Sequence, residues 1–308
     1  MDGKKLTREM LDWLDQPLAS DLEANQRRIY EMLDLAAGIF CRETFCLHTS
    51  VQITTVADKQ NYDLPPDFIE LYMKSSRGRY FIKYFDGSNY SYPIRTSYEK
   101  IFHTYATNPK AIPGRFAVID KEETEDLIQG TVDESEDPMY GEVDLFDEDK
   151  SFTTTDRVYP RDIVHNEKDG STGYVLSIVN EHWLKVALFL GKDNRFVFGE
   201  IIPTYTIQPA AEKQIVLDQP SSTTGHIMTV PYICMPAPVY SDYGFWRFPP
   251  RVCKAIAAGA ATIYKLTKGG KTATDAKQIG GIFEAEIKRY RYELAKANHQ
   301  DWHYRKSY

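Results

Sequence analysis

Gln52-Ile-Thr-Thr-Val-Ala-Asp-Lys-Gln-Asn-Tyr-Asp-Leu-Pro-Pro-Asp-Phe68 and Val230-Pro-Tyr-Ile-Cys-Met-Pro-Ala-Pro-Val-Tyr240 are the two stretches from which the fold is read. In the first, Val51, Ile53 and Thr55 alternate with polar neighbours, the period-two pattern of a strand with one buried face. Ala57-Asp58-Lys59 then reads as a turn, and Pro65-Pro66 closes a hairpin-like piece. The second stretch belongs to a strand-like run from His226 to Met235. Pro231, Pro236 and Pro238 predict that this strand lies at a sheet edge, because proline has no amide hydrogen to give to a ladder.

The flanks of these stretches are helical. Leu6, Met10, Leu11 and Leu14 share one side of a short helix over Leu6 to Asp15, which Pro17 interrupts. Ser20 with Glu23 is a capping-box signature, and Leu22, Ile29, Leu33, Ala36, Ala37 and Phe40 then recur at helical spacing, so a helix is expected from about Asp21 to Cys46. Pro249-Pro250 precedes a helix from Arg251 to Leu266 rich in small residues. After the turn Lys268-Gly-Gly-Lys271, another helix carries Ile279, Ile282, Phe283, Ile287, Tyr290 and Leu294 on one face. Glu284 and Lys288 form a pair of favourable polarity on the other.

Between the flanks the chain is β-prone. Runs occur at Ile69 to Lys74, Arg79 to Phe85 and Arg115 to Ile119, with a short helix expected over Ser97 to Tyr105. Shorter runs follow at Asp162 to Val164, Tyr174 to Val179, Trp183 to Phe189, Arg195 to Phe198 and Tyr205 to Ile207. Gly, Asn and Asp separate them at close intervals, as in a small sandwich or barrel. Gln214 to Leu217 and His226 to Met235 are expected to rejoin the first β region.

The fold class that results is α+β: terminal helices forming a helical bundle, a central antiparallel β region and an inserted small β-sandwich or barrel module. The boundaries are residues 1–50 for the N-terminal helices, 51–120 for the first β region, 121–155 for an acidic loop and 156–208 for the inserted module. Residues 209–248 hold the returning strands, 249–300 the C-terminal helices and 301–308 a docking tail.

Charge is segregated along the chain. Lys121 to Lys150 holds 13 acidic residues against two lysines, while Arg251 to Tyr308 holds 12 basic residues against five acidic ones. The acidic stretch has few large apolar residues and reads as an extended solvated loop. Asp147-Glu148-Asp149 lacks the glycine and terminal glutamate spacing of an EF-hand. Hydrophobic residues at 42% and charged residues at 26% are ordinary for a globular protein. No run of about 18 apolar residues is present and the first residues lack the apolar core of a signal peptide, so a cytoplasmic site of synthesis and no membrane partner are expected. Cys41, Cys46, Cys234 and Cys253 show neither a Cys-x-x-Cys pair nor zinc spacing, and free thiols are expected.

Patterns that carry chemistry fall away on their spacing. Gly269-Gly-Lys-Thr272 lacks the P-loop glycine at 265, where lysine stands, and follows a helix. Gly170-Ser-Thr-Gly173 is a hairpin turn and no nucleophile elbow. His48, His103, His165 and His182 are scattered with no histidine at i+4. Paired carboxylates in the acidic stretch have no pocket to split their pKa values. No catalytic residue, cofactor or metal ligand is assigned. The basic C-terminal helices carry aromatics among Lys and Arg, but the net charge of −7 argues against sequence-specific nucleic-acid binding.

Phe40-Cys-Arg-Glu-Thr-Phe45 leading to Tyr62-Asp-Leu-Pro-Pro-Asp-Phe-Ile69, together with Thr229-Val-Pro-Tyr-Ile-Cys-Met-Pro-Ala-Pro238, resembles the head-to-tail connector (adaptor, head-completion) proteins of tailed bacteriophages. A second resemblance lies in Tyr159-Pro-Arg-Asp-Ile-Val-His-Asn-Glu-Lys-Asp-Gly-Ser-Thr-Gly173 with Gly191-Lys-Asp-Asn-Arg-Phe-Val-Phe-Gly199. This is similar to a small β module inserted in phage neck and tail proteins, whose usual Pro-Gly-Asp start is Pro160-Arg161-Asp162 here.

The first resemblance implies a structural, non-enzymatic part of the virion neck, assembled in the host cytoplasm as a dodecameric ring beneath the portal protein. A tail or nozzle protein would lie below, and double-stranded DNA would pass the lumen without sequence-specific binding. It further implies that the C-terminal peptide clasps the portal, nominating Trp302, His303, Tyr304, Arg305, Lys306 and Tyr308. The small-residue helix nominates Ala255, Ala258, Gly259 and Ala261 for packing between subunits. The alternatives are another neck or tail component, such as a tail-tube or tail-completion protein, and a cell-wall glycan hydrolase.

Overall fold

The computed structural model describes residues 2–14, 22–72, 82–103, 112–121, 127–135, 142–189, 191–199, 202–239, 248–268 and 272–304. In chain order the elements begin with α1 (Gly3–Trp13), α2 (Leu22–Thr44), β1 (His48–Thr54), β2 (Asn61–Asp63), β3 (Phe68–Leu71), β4 (Lys83–Phe85), β5 (Tyr90–Ser91) and β6 (Ile94–Arg95). Next come α3 (Tyr98–His103), β7 (Arg115–Asp120), β8 (Ile128–Thr131), β9 (Val143–Phe146), β10 (Ile163–Asn166), β11 (Thr172–Asn180) and β12 (Trp183–Phe189). The chain closes with β13 (Thr204–Gln208), β14 (Lys213–Leu217), β15 (Ile227–Cys234), α4 (Pro250–Lys268) and α5 (Thr272–Tyr304). The fold is mixed α+β with three sheets, and all their pairings are antiparallel except the short β6–β7 contact.

Two compact units divide the chain. One is Met1–Cys46 with Met235–Tyr308, and the other is the uninterrupted stretch Leu47–Cys234. In the helical unit, Asp2 caps α1 by accepting the Lys5 amide at 2.8 Å. Helix α4 packs against α1, α2 and α5. It is buried nearly all round, which is why its sequence is alanine-rich without a polar face. Phe40 of α2 is fully buried, with its ring 6.2 Å from Phe248, 6.2 Å from Phe283 and 5.5 Å from Tyr290. The stripe on α5 that meets this core is Ile279, Phe283 and Ile287. Ile282, expected on the same face, is 44% exposed.

The β unit contains a five-stranded sheet (β1-β15-β4-β5, with β3 also on β15), a four-stranded sheet (β2-β14-β7-β6) and a six-stranded sheet (β8-β13-β10-β11-β12-β9). Strands β14 and β15 return to the strands of residues 48–120. Four sequence expectations are corrected. First, β1 and β2 make no hairpin: β1 pairs with β15 and β2 with β14, so the turn Ala57-Asp58-Lys59 passes the chain from one sheet to another.

Second, β15 is an interior strand, with β1 on one side and β3 and β4 on the other. Pro231 is tolerated there because of where it falls. Its carbonyl accepts the Tyr72 amide at 3.1 Å, so its nitrogen faces the same side. On that side, pairing among the described residues passes from Leu71↔Tyr232 to Lys83↔Thr229, and no ladder amide is called for at 231.

Third, the described parts of the acidic stretch 121–155, residues 127–135 and 142–155, are not a solvated loop. They supply β8 and β9, the first and last strands of the six-stranded sheet, and bury Val132, Val143 and Leu145. The Asp133 amide donates to Phe146 at 2.8 Å and the Phe146 amide to Glu134 at 3.2 Å. The chain beyond β8 thereby meets β9, and the sheet curls as a half barrel around Phe152, Val164, Leu184, Val186 and Ile207. Fourth, Arg195 to Phe198 is not a strand, although Phe196 is buried in this same core. Glycine 173 has a steric role here: a Cβ at that position would lie 1.5 Å from the Ala187 carbonyl oxygen of β12.

Candidate functional site

Residues 52–68 and 230–234 meet in the β unit. Tyr62 is fully buried; its hydroxyl accepts the Val56 amide at 3.1 Å and donates to the Lys59 carbonyl at 2.9 Å, closing the turn in which Asp58 takes φ +62°. Leu64 fills the same core. The Phe68 amide donates to Pro65 at 2.9 Å, a turn that sets Asp67 against β15. There Asp67 Oδ1 accepts the Tyr232 hydroxyl at 2.8 Å, and the Phe68 ring lies 5.5 Å from that of Tyr232. Burial raises the Asp67 carboxyl above its ordinary range, opposed by the Tyr232 hydrogen bond and the charge of Arg161. Burial and the adjacent Asp67 raise the Tyr232 phenol, which therefore stays a donor.

Beside this motif lies a polar cleft of about 320 Å³. Lys59, Asp63 and Lys121 line it from the four-stranded sheet and its turns, while Ile128, Arg157, Tyr159 and Asp162 line it from the six-stranded sheet and the loop before β10. Lys121 Nζ is 3.0 Å from Asp63 Oδ2. Asp162 is buried and takes the Tyr159 amide on Oδ2 at 2.7 Å and the Ala210 amide on Oδ1 at 2.8 Å. Burial nonetheless wins over those donors and pushes its carboxyl up to about 6. Arg161, at the glycine position of the Pro-Gly-Asp pattern, has φ +81°, the left-handed conformation that glycine adopts freely. Both oxygens of Asp162 are engaged by backbone, and Asp63 is paired with Lys121. The cleft thus acts as a hydrogen-bonded seam that ties the loop before β10 to the connection from β13 to β14.

A second buried carboxylate lies inside the curled sheet. Asp147 Oδ2 accepts the Tyr205 hydroxyl at 2.7 Å and Oδ1 the Asp149 amide at 3.0 Å. Burial and Asp147 together raise the Tyr205 phenol. Gly130 is required beside them, since a Cβ there would lie 2.3 Å from Asp147 Oδ2.

Of the histidines, His48 stacks on Tyr72 at 4.7 Å, His165 Nδ1 is 3.2 Å from Thr172 Oγ1, and His182 Nδ1 donates to the Lys150 carbonyl at 2.6 Å. The side chain of His103 lies outside the described residues. Among the described residues, no group of three or more His, Cys, Asp or Glu side chains is placed to hold a metal ion. No helix among them is long and apolar enough to cross a membrane.

The nominated contact residues are placed as follows. Helix α5 runs through Trp302, His303 and Tyr304, whose side chains lie outside the described residues, as do Arg305, Lys306 and Tyr308 entirely. Ser20 of the capping box and the turn residues Gly269, Gly270 and Lys271 lie outside them too. Ala255, Ala258, Gly259 and Ala261 are buried inside the chain's own helical unit. A Cβ on Gly259 would lie 2.9 Å from the Phe283 ring, so Gly259 permits the close approach of α4 and α5.

Sequence reasoning passes over one exposed feature. Tyr90, Tyr92, Ile94 and Tyr98, at the edge strands β5 and β6 and the start of α3, are 56%, 58%, 65% and 45% exposed. The alternation at 90, 92 and 94 is the signal that could have found it, since one side of an edge segment is apolar yet uncovered.

No protein-family model matches this chain, and no curated protein matches it.

Proposed function

We propose that this chain is a structural connector in the neck of a tailed phage virion, a ring subunit that docks beneath the portal and continues the DNA channel toward the tail. The observation that carries the reading is the bond from Tyr232 to Asp67. The two stretches that resemble the connector family are 165 positions apart and form one packed motif, so their residue types answer to a shared structure. The helices before residue 47 and after residue 234 also belong to one compact unit, and the residues between them in sequence to another, the order along the chain that the resemblance implies.

In this reading the terminal helices form the bundle around the channel, and the curled six-stranded sheet is the inserted β module. The residues from 301 to 308 clasp the portal, with Trp302, Tyr304 and Arg305 of the types that dominate interface energetics. The work is non-catalytic. Neighbouring copies meet through surfaces outside α4, and the uncovered strip Tyr90, Tyr92, Ile94 and Tyr98 is apolar area available for such a contact.

The test is co-expression with the portal protein encoded beside it, followed by negative-stain electron microscopy of the purified product and of each protein alone. Stacked rings that form only with the portal, and are lost on deleting Asp301 to Tyr308, support the connector. Retained attachment without the peptide, or a tube formed by this chain alone, moves the assignment to a tail component.

A further inference from the structure

We infer that Cys41 and Cys46 form an oxidisable dithiol, a modification site that closes to a disulfide when a small disulfide such as oxidised glutathione reaches it. Its chemistry is independent of the neck assignment.

The site is built by the end of α2. The helix stops at Thr44, and Phe45 follows with φ +54° while its amide donates to the Cys41 carbonyl at 2.8 Å. This is the left-handed cap in which the chain folds back on its last turn. It sets the second residue past the helix beside the one that accepts the capping bond. Those two positions are Cys46 and Cys41, and their Sγ atoms are 3.7 Å apart. A hydrophobic contact commonly occupies this pair of positions; here it is made of two thiols. Neither cysteine is in a disulfide, and Cys41 is buried while Cys46 is partly exposed.

Closing the bond requires the sulfurs to approach from 3.7 Å to roughly 2.0 Å. The difference in exposure orders the steps. The Cys46 thiolate attacks one sulfur of the small disulfide, forming a mixed disulfide and expelling one thiolate. The Cys41 thiolate then attacks the Cys46 sulfur and expels the second. The two protons lost by the cysteines go to the two departing thiolates, so the protein is oxidised by two electrons and the small disulfide reduced by two.

Trypsin provides a direct reading because Arg42 lies between the two cysteines. Native protein is incubated with oxidised glutathione, blocked with an alkylating agent and digested without reductant. The expected product is peptide Ile29–Arg42 joined to Glu43–Lys59, lighter by two hydrogens and separated by reductant. Cys41→Ser should stop at a glutathione adduct on Cys46, and Cys46→Ser, which leaves the buried partner in place, should yield neither adduct nor link at this site. Closure should be faster in native protein than in urea. A persistent adduct in the native protein, a link from Cys46 to Cys234 or Cys253, or closure no faster when folded than when unfolded would each overturn the assignment.

Discussion

The hydroxyl of Tyr232 donates to Asp67 at 2.8 Å, joining the turn after β2 to the middle of β15. With Phe68 packed on the same ring, one tyrosine supplies both the polar and the apolar half of the contact. Tyr232→Phe keeps the packing and leaves the Asp67 carboxylate, already disfavoured by burial, without its donor. We expect a loss of about 1–3 kcal/mol in urea unfolding. Asp67→Asn preserves an acceptor and should cost less. An unchanged denaturation midpoint for Tyr232→Phe would show that the bond contributes nothing.

Asp162 gives stability a pH dependence whose sign is fixed. Its carboxyl has an ordinary value of 3.8 and is pushed up to about 6 in the fold, so the folded state holds its proton more tightly than the unfolded chain. Its contribution is greatest below about pH 4, declines as pH rises to about 6 and is constant above. The ionised form then costs ~3 kcal/mol relative to the neutral one. Urea unfolding of wild type and Asp162→Asn across pH 4 to 7 should show the wild type losing stability relative to the variant as pH rises. A pH-independent difference between the two would refute the raised carboxyl.

Arg161 sits at φ +81° where a glycine would be unstrained. Arg161→Gly removes the left-handed penalty of roughly 1–2 kcal/mol and adds unfolded-chain entropy of about 0.5–1 kcal/mol. It also removes the positive charge that favours the buried Asp67 carboxylate, so thermal unfolding should show stability close to wild type. Arg161→Val, β-branched in the same conformation, should lose at least about 1 kcal/mol. If Val is tolerated as well as Gly, the loop does not hold that backbone conformation.

Two glycines of the C-terminal helices should respond oppositely to alanine. At Gly281 nothing lies within 4 Å of an added Cβ, so Gly281→Ala gains helix propensity of about 1 kcal/mol. At Gly259 the added methyl meets the Phe283 ring at 2.9 Å, and overpacking of ~1–3 kcal/mol offsets the same gain. Chemical denaturation of the pair should place Gly281→Ala above wild type and Gly259→Ala below Gly281→Ala. The reverse order would contradict the close α4–α5 approach.

The legible part of this fold is the part where periodicity and burial agree. Trp183 to Phe189 is a β-prone run and is a strand; Leu33, Ala36, Ala37 and Phe40 recur at helical spacing and are buried. The acidic stretch misleads because net charge outweighs a short period-two signal. Val143-Asp144-Leu145-Phe146 alternates buried with half-buried, the pattern of a strand with one face on the core. Pro231 misleads because sequence does not show which side of a strand needs an amide. In the site, Tyr62, Leu64, Asp67 and Phe68 are visible as a motif. The clamp of Asp162 on Ala210, 48 positions away, leaves no local trace.

The division of the chain also sets a schedule for synthesis. Residues 47–234 are consecutive and can fold as soon as they leave the ribosome, whereas the helical unit needs residues from both sides of that stretch. Until α4 emerges, Leu6, Met10, Leu33 and Phe40 have no partner to cover them. Until then the nascent chain carries an adhesive pair of helices, α1 and α2, ahead of a finished β unit. A stall before codon 250 would leave that pair exposed, so truncated products should be cleared or aggregate long before the full-length protein does.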